Sequence, residues 1–128
     1  MLGELAQVNE FNEVFQIGKA PKELSLVSKK EYILRYDLAK EELDEYLEAC
    51  QNNDLKEIAD SLGDQLYILC GTILKHGLQY KIHDVFEEIH KSNMSKLDEN
   101  GKPIFREDGK VLKSSNYFKP DLNKVLDL

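Results

Sequence analysis

Carboxylates crowd one short stretch of the chain, residues 41–45, which read EELDE. The surrounding pattern predicts a helix, and each residue of a helix advances by about 100°. Glu41, Glu42 and Glu45 therefore share a side with apolar residues such as Ala49, whereas a solvated acidic face would group them with other polar side chains. We interpret the stretch as part of a divalent-cation site, with an ordinary solvated acidic face as the alternative.

A second acidic set follows on the next predicted helix, at Glu57, Asp60 and Asp64. Residues 66–74 (LYILCGTIL) are apolar almost all round, which is typical of a buried central helix. Asp60 and Asp64, four residues apart, lie on the line that continues into this surface. The second helix therefore carries its acids next to positions that we expect to be buried.

The two acidic sets are predicted to face each other, because helices joined by a short connection usually pack antiparallel. Glu42 and Glu45 would then lie opposite Asp60 and Asp64. Carboxylates held close together in a low dielectric repel one another and raise one another's pKa, and a hard cation removes that cost. Ligands that are all oxygen favour Mg²⁺, with Mn²⁺ as a second possibility, over zinc or copper.

Basic side chains become more frequent in the sequence after the two acidic sets. A polyphosphate bridged by metal requires such cations to bind its remaining oxygens. Residues 1–89 hold 9 basic and 18 acidic side chains, whereas residues 90–128 hold 8 and 6. Each lysine taken singly is more typical of a solvated side chain, so the run is informative only beside the acids. The candidate phosphate ligands are His90, Asn93, Lys96, Arg106, Lys110 and Lys113.

Aromatic residues of the first helix offer a candidate base-binding shelf, formed by Phe11 and Phe15 with the amide of Asn12. The alternative is that both phenylalanines belong to the core and that Asn12 is exposed. Tyr67 is open to two readings, as a core residue or as a residue that stacks on a sugar.

The elements that must position these residues are four helices, at about 2–16, 29–51, 54–76 and 81–96. Ser28 with Glu31 forms a capping box, Asp54 caps the third helix, and Gly77 suits its C-terminal end. Turn signals around 99–101 and 107–109 flank two short apolar runs and suggest a hairpin or an irregular loop. Pro120-Asp121 opens a short terminal helix. We therefore expect one all-α domain over residues 1–128, a four-helix-bundle-like fold with a short C-terminal extension.

The composition and net charge limit the kinds of binding partner and the cellular compartment that we expect for this protein. The chain has 128 residues, is 41% hydrophobic and carries a net charge of −7, which argues against nonspecific nucleic-acid binding. No apolar run approaches the length of a membrane span, and no secretory signal is visible. Cys50 and Cys70 lack metal-binding spacing, so we expect reduced thiols and a cytoplasmic location. Because two helices are apolar on both sides, we expect a homodimer or a dimer of dimers, with Leu66 and Ile73 near the contact.

These motifs resemble the all-α nucleoside triphosphate pyrophosphohydrolases, the superfamily of MazG, phosphoribosyl-ATP pyrophosphohydrolase and the dimeric dUTPases. Residues 41–45 match the family's EExxE motif, and residues 57–67 (EIADSLGDQLY) match its second acidic helix. The tail, with HKSNMSK and DGKVLK, is similar to the phosphoribosyl-ATP pyrophosphohydrolase-like subgroup. The sequence departs from the usual ExxD pattern, because the Glu that should precede Asp64 by three residues is Ser61. Asp60 stands one residue earlier on the same helical side and could replace it.

The resemblance implies a MazG-type fold and Mg²⁺-dependent hydrolysis of a nucleoside or deoxynucleoside triphosphate to the monophosphate and pyrophosphate. Glu42, Glu45, Asp60 and Asp64 would hold the metal, with Glu57 at the edge and Glu41 orienting or deprotonating a water. The role would be clearance of nucleotides from the pool. The alternatives are phosphoribosyl-ATP hydrolysis in histidine synthesis, a regulator that binds nucleotide without turnover, and a structural bundle with solvated acids.

Overall fold

The structure, a computed structural model, describes residues 1–128 and consists of five helices and one small sheet. The elements in chain order are α1 Gly3–Val14, α2 Lys29–Gln51, α3 Leu55–Lys75, α4 Ile82–Met94, β1 Ile104–Phe105, β2 Val111–Leu112 and α5 Leu122–Leu126. The predicted all-α class and the C-terminal extension are confirmed. No helix combines the length and the apolar character that crossing a membrane requires.

The ends of the two long helices are set by the predicted side-chain caps. The hydroxyl of Ser28 accepts a hydrogen bond from the backbone N–H of Glu31 at 3.3 Å. The carboxylate of Asp54 accepts one from the N–H of Glu57 at 3.2 Å. Each cap satisfies a backbone donor that the first turn of a helix leaves without a partner. The capping residues read from the sequence therefore fix where α2 and α3 begin.

The chain divides into two compact units, residues 1–80 and residues 81–128, and each is described separately. In the first unit α2 and α3 run antiparallel, because Arg35 contacts Thr72 near one end while Glu45 approaches Asp64 further along. The buried apolar side chains are few and come from three helices: Leu5, Val8, Ala49, Cys70 and Leu74. The organisation as one domain stays a prediction.

One side of α3 is not buried as the sequence suggests. Leu62, Leu66 and Leu69 are about half exposed, at 49%, 49% and 55%. The buried positions include Ser61, which has a small side chain, and Gly71, which has none. The guanidinium of Arg35 lies directly over Gly71. Leu43 of α2 is also 55% exposed. Within one chain, α3 is a half-covered helix rather than a central one.

The second unit contains a small hairpin, and hydrogen bonds attach the segment before α5 to α4. The two strands pair antiparallel, Ile104 with Leu112 and Phe105 with Val111. The buried hydroxyl of Ser92 on α4 donates to the carbonyl of Phe118 at 2.8 Å. The carboxylate of Glu88 accepts from the N–H of Asp121, which caps α5. The tail after residue 96 is thus ordered structure, as the turn signals indicate.

Candidate metal centre

The structure brings three of the predicted acids together. One carboxylate oxygen from each of Glu42, Glu45 and Asp64 lies within 4.8 Å of the other two. Glu42 and Glu45 come from adjacent positions on one side of α2, and Asp64 comes from the facing side of α3. The antiparallel packing of two helices therefore creates the cluster, and neither helix could form it alone.

The electrostatics of the cluster are unfavourable without a counter-charge. Removal from solvent, together with the neighbouring carboxylates of Glu45, Asp64 and Glu41, raises the pKa of Glu42 to about 7. The Oε2 atom of Glu42 is buried and has no hydrogen-bond partner. A buried acceptor without a donor is costly. A hard divalent cation fits this donor set, because it would be bound by oxygen alone and would satisfy the unpaired oxygen.

The remaining acids of the predicted set lie around an adjoining concavity at the end of the helix pair. Glu57 and Asp60 line it together with Glu45, and its volume is about 400 Å³. Asp60 is not among the three carboxylates that meet within 4.8 Å. Glu41 is exposed, and its charge acts on Glu42. Glu45 belongs to the cluster with Glu42 and Asp64 and also lines the concavity.

Sequence reasoning missed Glu48, which lines the same concavity as Glu57 and Asp60. Its position could have been read from spacing, because Glu48 follows Glu45 by three residues and a helix places such residues on one side. Asn52 and Asp54, at the turn between α2 and α3, complete the polar rim. The acidic surface thus extends beyond the motif to the end of the helix pair.

The predicted phosphate ligands all lie in residues 81–128, and two of them already have partners there. The guanidinium of Arg106 pairs with the carboxylate of Asp108 through two hydrogen bonds. This ion pair raises the pKa of Arg106 and lowers that of Asp108. The ammonium of Lys113 lies over the ring of Tyr117, 4.6 Å from its centroid. Lys110, His90 and Asn93 are exposed and Lys96 is half-buried. Lys110 is therefore more accessible to an anion than Arg106.

The structure keeps the three predicted base-binding rings together and places Asn12 apart from them. The rings of Phe11, Phe15 and Tyr67 contact one another, and none of the three is buried. Asn12 is half-buried and lines a different small concavity, with Gly18, Lys19 and Lys75 among its neighbours. The alternative of two core phenylalanines and an exposed Asn12 is wrong.

Glu42 gives the apo protein a specific pH dependence. Its pKa of about 7 lies above the ordinary 4.5, so the folded state holds a proton that the unfolded state releases between these values. We expect the stability contributed by this group to be lost as pH rises from about 4.5 through 7, by about 1 kcal/mol after allowing for partial exposure.

Thermal unfolding in EDTA at pH 5 and pH 8 measures this effect, with Glu42→Gln as the comparison. The variant should lose less stability than the wild type between the two pH values and should be the more stable protein at pH 8. Mg²⁺ at pH 8 should stabilise the wild type more than the variant. Parallel curves for the two proteins would show that Glu42 titrates normally.

Comparisons with known proteins find matches to the part of the chain that holds the carboxylate cluster. A sequence model described as phosphoribosyl-ATP pyrophosphohydrolase matches residues 8–93, about two thirds of the chain, and these include all three clustered carboxylates. A segment of 77 residues is 38% identical to an uncharacterized protein of Acanthamoeba polyphaga mimivirus. That alignment covers 58% of this chain and 31% of the viral protein, so the matched part spans about a third of that relative.

Proposed function

The chain belongs to the phosphoribosyl-ATP pyrophosphohydrolase family, within the all-α MazG-like superfamily, and from this premise we propose that it hydrolyses a nucleoside triphosphate. The products would be the nucleoside monophosphate and pyrophosphate, and the role would be clearance of nucleotides from the pool. The observation that carries the proposal is the carboxylate cluster of Glu42, Glu45 and Asp64, with its buried, unpaired oxygen.

Glu42, Glu45 and Asp64 would hold Mg²⁺, or Mn²⁺ in its place, and Glu57 and Asp60 would contribute from the adjoining concavity. Such a cation neutralises charge on phosphate oxygens and lowers the pKa of a nearby water. Glu41, which is exposed next to the cluster, would orient that water and accept its proton. Its exposure supports this role, because a base needs access to water and a free carboxylate.

The groups that we propose to bind phosphate all lie after residue 89. We propose Lys96, Lys110 and Lys113 as cations and His90 and Asn93 as hydrogen-bonding groups. Arg106 would contribute less, because its guanidinium is already paired with Asp108. Charge-assisted hydrogen bonds of this kind stabilise a departing pyrophosphate most, since its charge grows as the bond breaks.

Phosphoribosyl-ATP is the second candidate substrate, and the family match itself favours it. It has the same phosphate chain as ATP, so the cluster would act on both. One experiment separates them: pyrophosphate release measured with Mg²⁺ from a panel of nucleoside and deoxynucleoside triphosphates and from phosphoribosyl-ATP. Release from phosphoribosyl-ATP alone would assign the histidine pathway reaction. Metal-dependent binding without release from any substrate would contradict the enzyme and favour the regulator.

We also propose that the protein is a homodimer, alone or paired into a dimer of dimers. Support comes from a groove of about 670 Å³ between α2 and α3, in which large apolar side chains remain exposed. Arg35 and Gln65 border the same groove, and the Nε2 atom of Gln65 is buried without a partner. Apolar surface on this scale is characteristic of an interface. The apolar residues are Tyr32, Tyr36, Leu43, Leu62, Leu66 and Leu69.

Leu66→Glu is expected to break the dimer, because it places a charge in the centre of the proposed apolar contact. Sedimentation velocity should give the wild type a multiple of the 14.8 kDa chain mass and the variant the mass of one chain. Leu26→Glu is the control, because Leu26 is 94% exposed and lies outside the groove. A wild-type protein that sediments as a single chain would contradict the proposal.

A further inference from the structure

Three aromatic rings form a connected, partly exposed cluster in the first unit, which we call the ring cluster: Phe11, Phe15 and Tyr67. The rings of Phe11 and Phe15 are stacked with centroids 4.5 Å apart, and Phe11 meets Tyr67 edge to face at 5.7 Å. Phe15 is 65% exposed, Tyr67 43% and Phe11 36%. Aromatic pairs favour these geometries, so the cluster is ordered although solvent reaches it.

The ring cluster continues from the carboxylate cluster along one face of α3. Tyr67 follows Asp64 by three residues, which places the two side chains next to each other on the helix surface. Phe11 lies on α1 and Phe15, four residues later, is the C-cap of that helix, and α1 packs against α3. A ligand whose phosphates lie at Asp64 would therefore be able to place a flat apolar group against the aromatic rings.

We propose that the ring cluster is the platform on which the nucleobase of the substrate stacks, with Phe15 presenting the outermost face. The inference rests on the proposed function, because it assigns the base end of the same ligand. A base offers a flat π surface that stacks on an aromatic side chain whatever its edge groups are. Phe15 suits this contact, because it is the most exposed ring of the three and its orientation is fixed by Phe11.

The recognition is by the face of the base and not by its edge. Asn12, the amide next to Phe11 in sequence, lies in the separate concavity with Lys75. Phe15 and Phe11, whose rings carry the proposed stacking face, have no hydrogen-bonding groups, and the only polar side-chain atom of the ring cluster is the hydroxyl of Tyr67. The site therefore accepts several bases, and purines bind more tightly than pyrimidines because they stack over a larger area.

The test uses equilibrium binding, so that it does not depend on turnover. Isothermal titration calorimetry with Mg²⁺ measures the α,β-methylene analogues of ATP and CTP, which resist cleavage, and tripolyphosphate, which has no base. Phe15→Ala should weaken binding of the ATP analogue by about 10- to 100-fold and leave tripolyphosphate binding unchanged. Phe15→Trp should restore nucleotide binding. Val14→Ala is the matched control, because Val14 directly precedes Phe15, is 67% exposed and lies outside the ring cluster.

Three results would overturn the inference: unchanged nucleotide affinity in Phe15→Ala, an equal loss for tripolyphosphate, or a change in sedimentation that reveals the ring cluster as a contact between chains. Wild-type binding of the CTP analogue as tight as that of the ATP analogue would contradict the preference for purines. The proposed function fails separately, because it requires pyrophosphate release, whereas the platform requires only that affinity for the base depends on Phe15.

Discussion

Asp64→Asn is expected to reduce pyrophosphate release on the order of 10³-fold at saturating Mg²⁺ and substrate, which corresponds to about 4 kcal/mol of transition-state stabilisation. The change keeps the shape of the side chain and removes one of the three charges that meet within 4.8 Å. A carboxamide balances no cation charge and presents a weaker oxygen donor. Steady-state pyrophosphate release over a range of Mg²⁺ concentrations measures the loss, which should persist where Mg²⁺ saturates both proteins.

The same substitution should not destabilise the apo protein. Asp64 contributes to the raised pKa of Glu42, so removal of its charge relieves repulsion inside the cluster. Asp44→Asn is the control, because Asp44 lies on the same helix as Glu45 but is exposed and outside the cluster. We expect the control to retain wild-type turnover. Wild-type turnover in Asp64→Asn would rule out the cluster as the catalytic cation site, whereas lost turnover with intact Mn²⁺ affinity would give Asp64 another role.

The helices could be predicted from the sequence because their signals are local. Ser28 and Asp54 cap α2 and α3, and each needs only the three residues that follow it. The apolar spacing in α1 and the change of character after residue 96 are local in the same way. Such signals do not depend on how helices pack, so the element order and most boundaries agree with the structure.

The sequence does not predict which face of each helix packs against its neighbours. When a helix has apolar residues on two sides, hydrophobicity alone does not say which side is covered. The leucines at 62, 66 and 69 look like a core stripe, yet Ser61 and Gly71 are the buried positions. Small residues allow a neighbouring side chain to approach closely, and here the guanidinium of Arg35 fills that space. This contact joins residues 36 positions apart, and nothing in either local sequence indicates it.

The acidic site is likewise predictable only in part, because the side of each helix can be read from the sequence and the packing between helices cannot. The periodicity of α2 and α3 predicts which side carries the acids, and the structure brings Glu42, Glu45 and Asp64 together there. Whether Asp60 joins them depends on the offset of one helix along the other, which no helical period encodes. The predicted set is therefore split between the cluster and the adjoining concavity.

Gly77 marks a point where the loop before α2 passes close to the end of α3. Its φ of +68° lies in the left-handed region, and a Cβ built there would overlap the carbonyl oxygen of Glu23. The neighbouring backbone is tied in place: the N–H of Ser25 donates to the carbonyl of His76, and the Nδ1–H of His76 donates to the carbonyl of Ser25. Neither side of this contact can move without losing hydrogen bonds.

Gly77→Ala is therefore expected to lower the free energy of unfolding by about 3 kcal/mol, as the sum of left-handed strain and lost hydrogen bonds. Urea unfolding followed by far-ultraviolet circular dichroism measures it. Gly101→Ala isolates the strain, because Gly101 has a φ of +72° and no atom within 4 Å of a built Cβ, so about 1 kcal/mol should be lost. Gly63→Ala should instead stabilise by about 0.5–1 kcal/mol, since Gly63 lies within α3 with open space around it. Equal losses at Gly77 and Gly101 would show that the loop yields to a methyl group, and the proposed rigidity of this contact would be wrong.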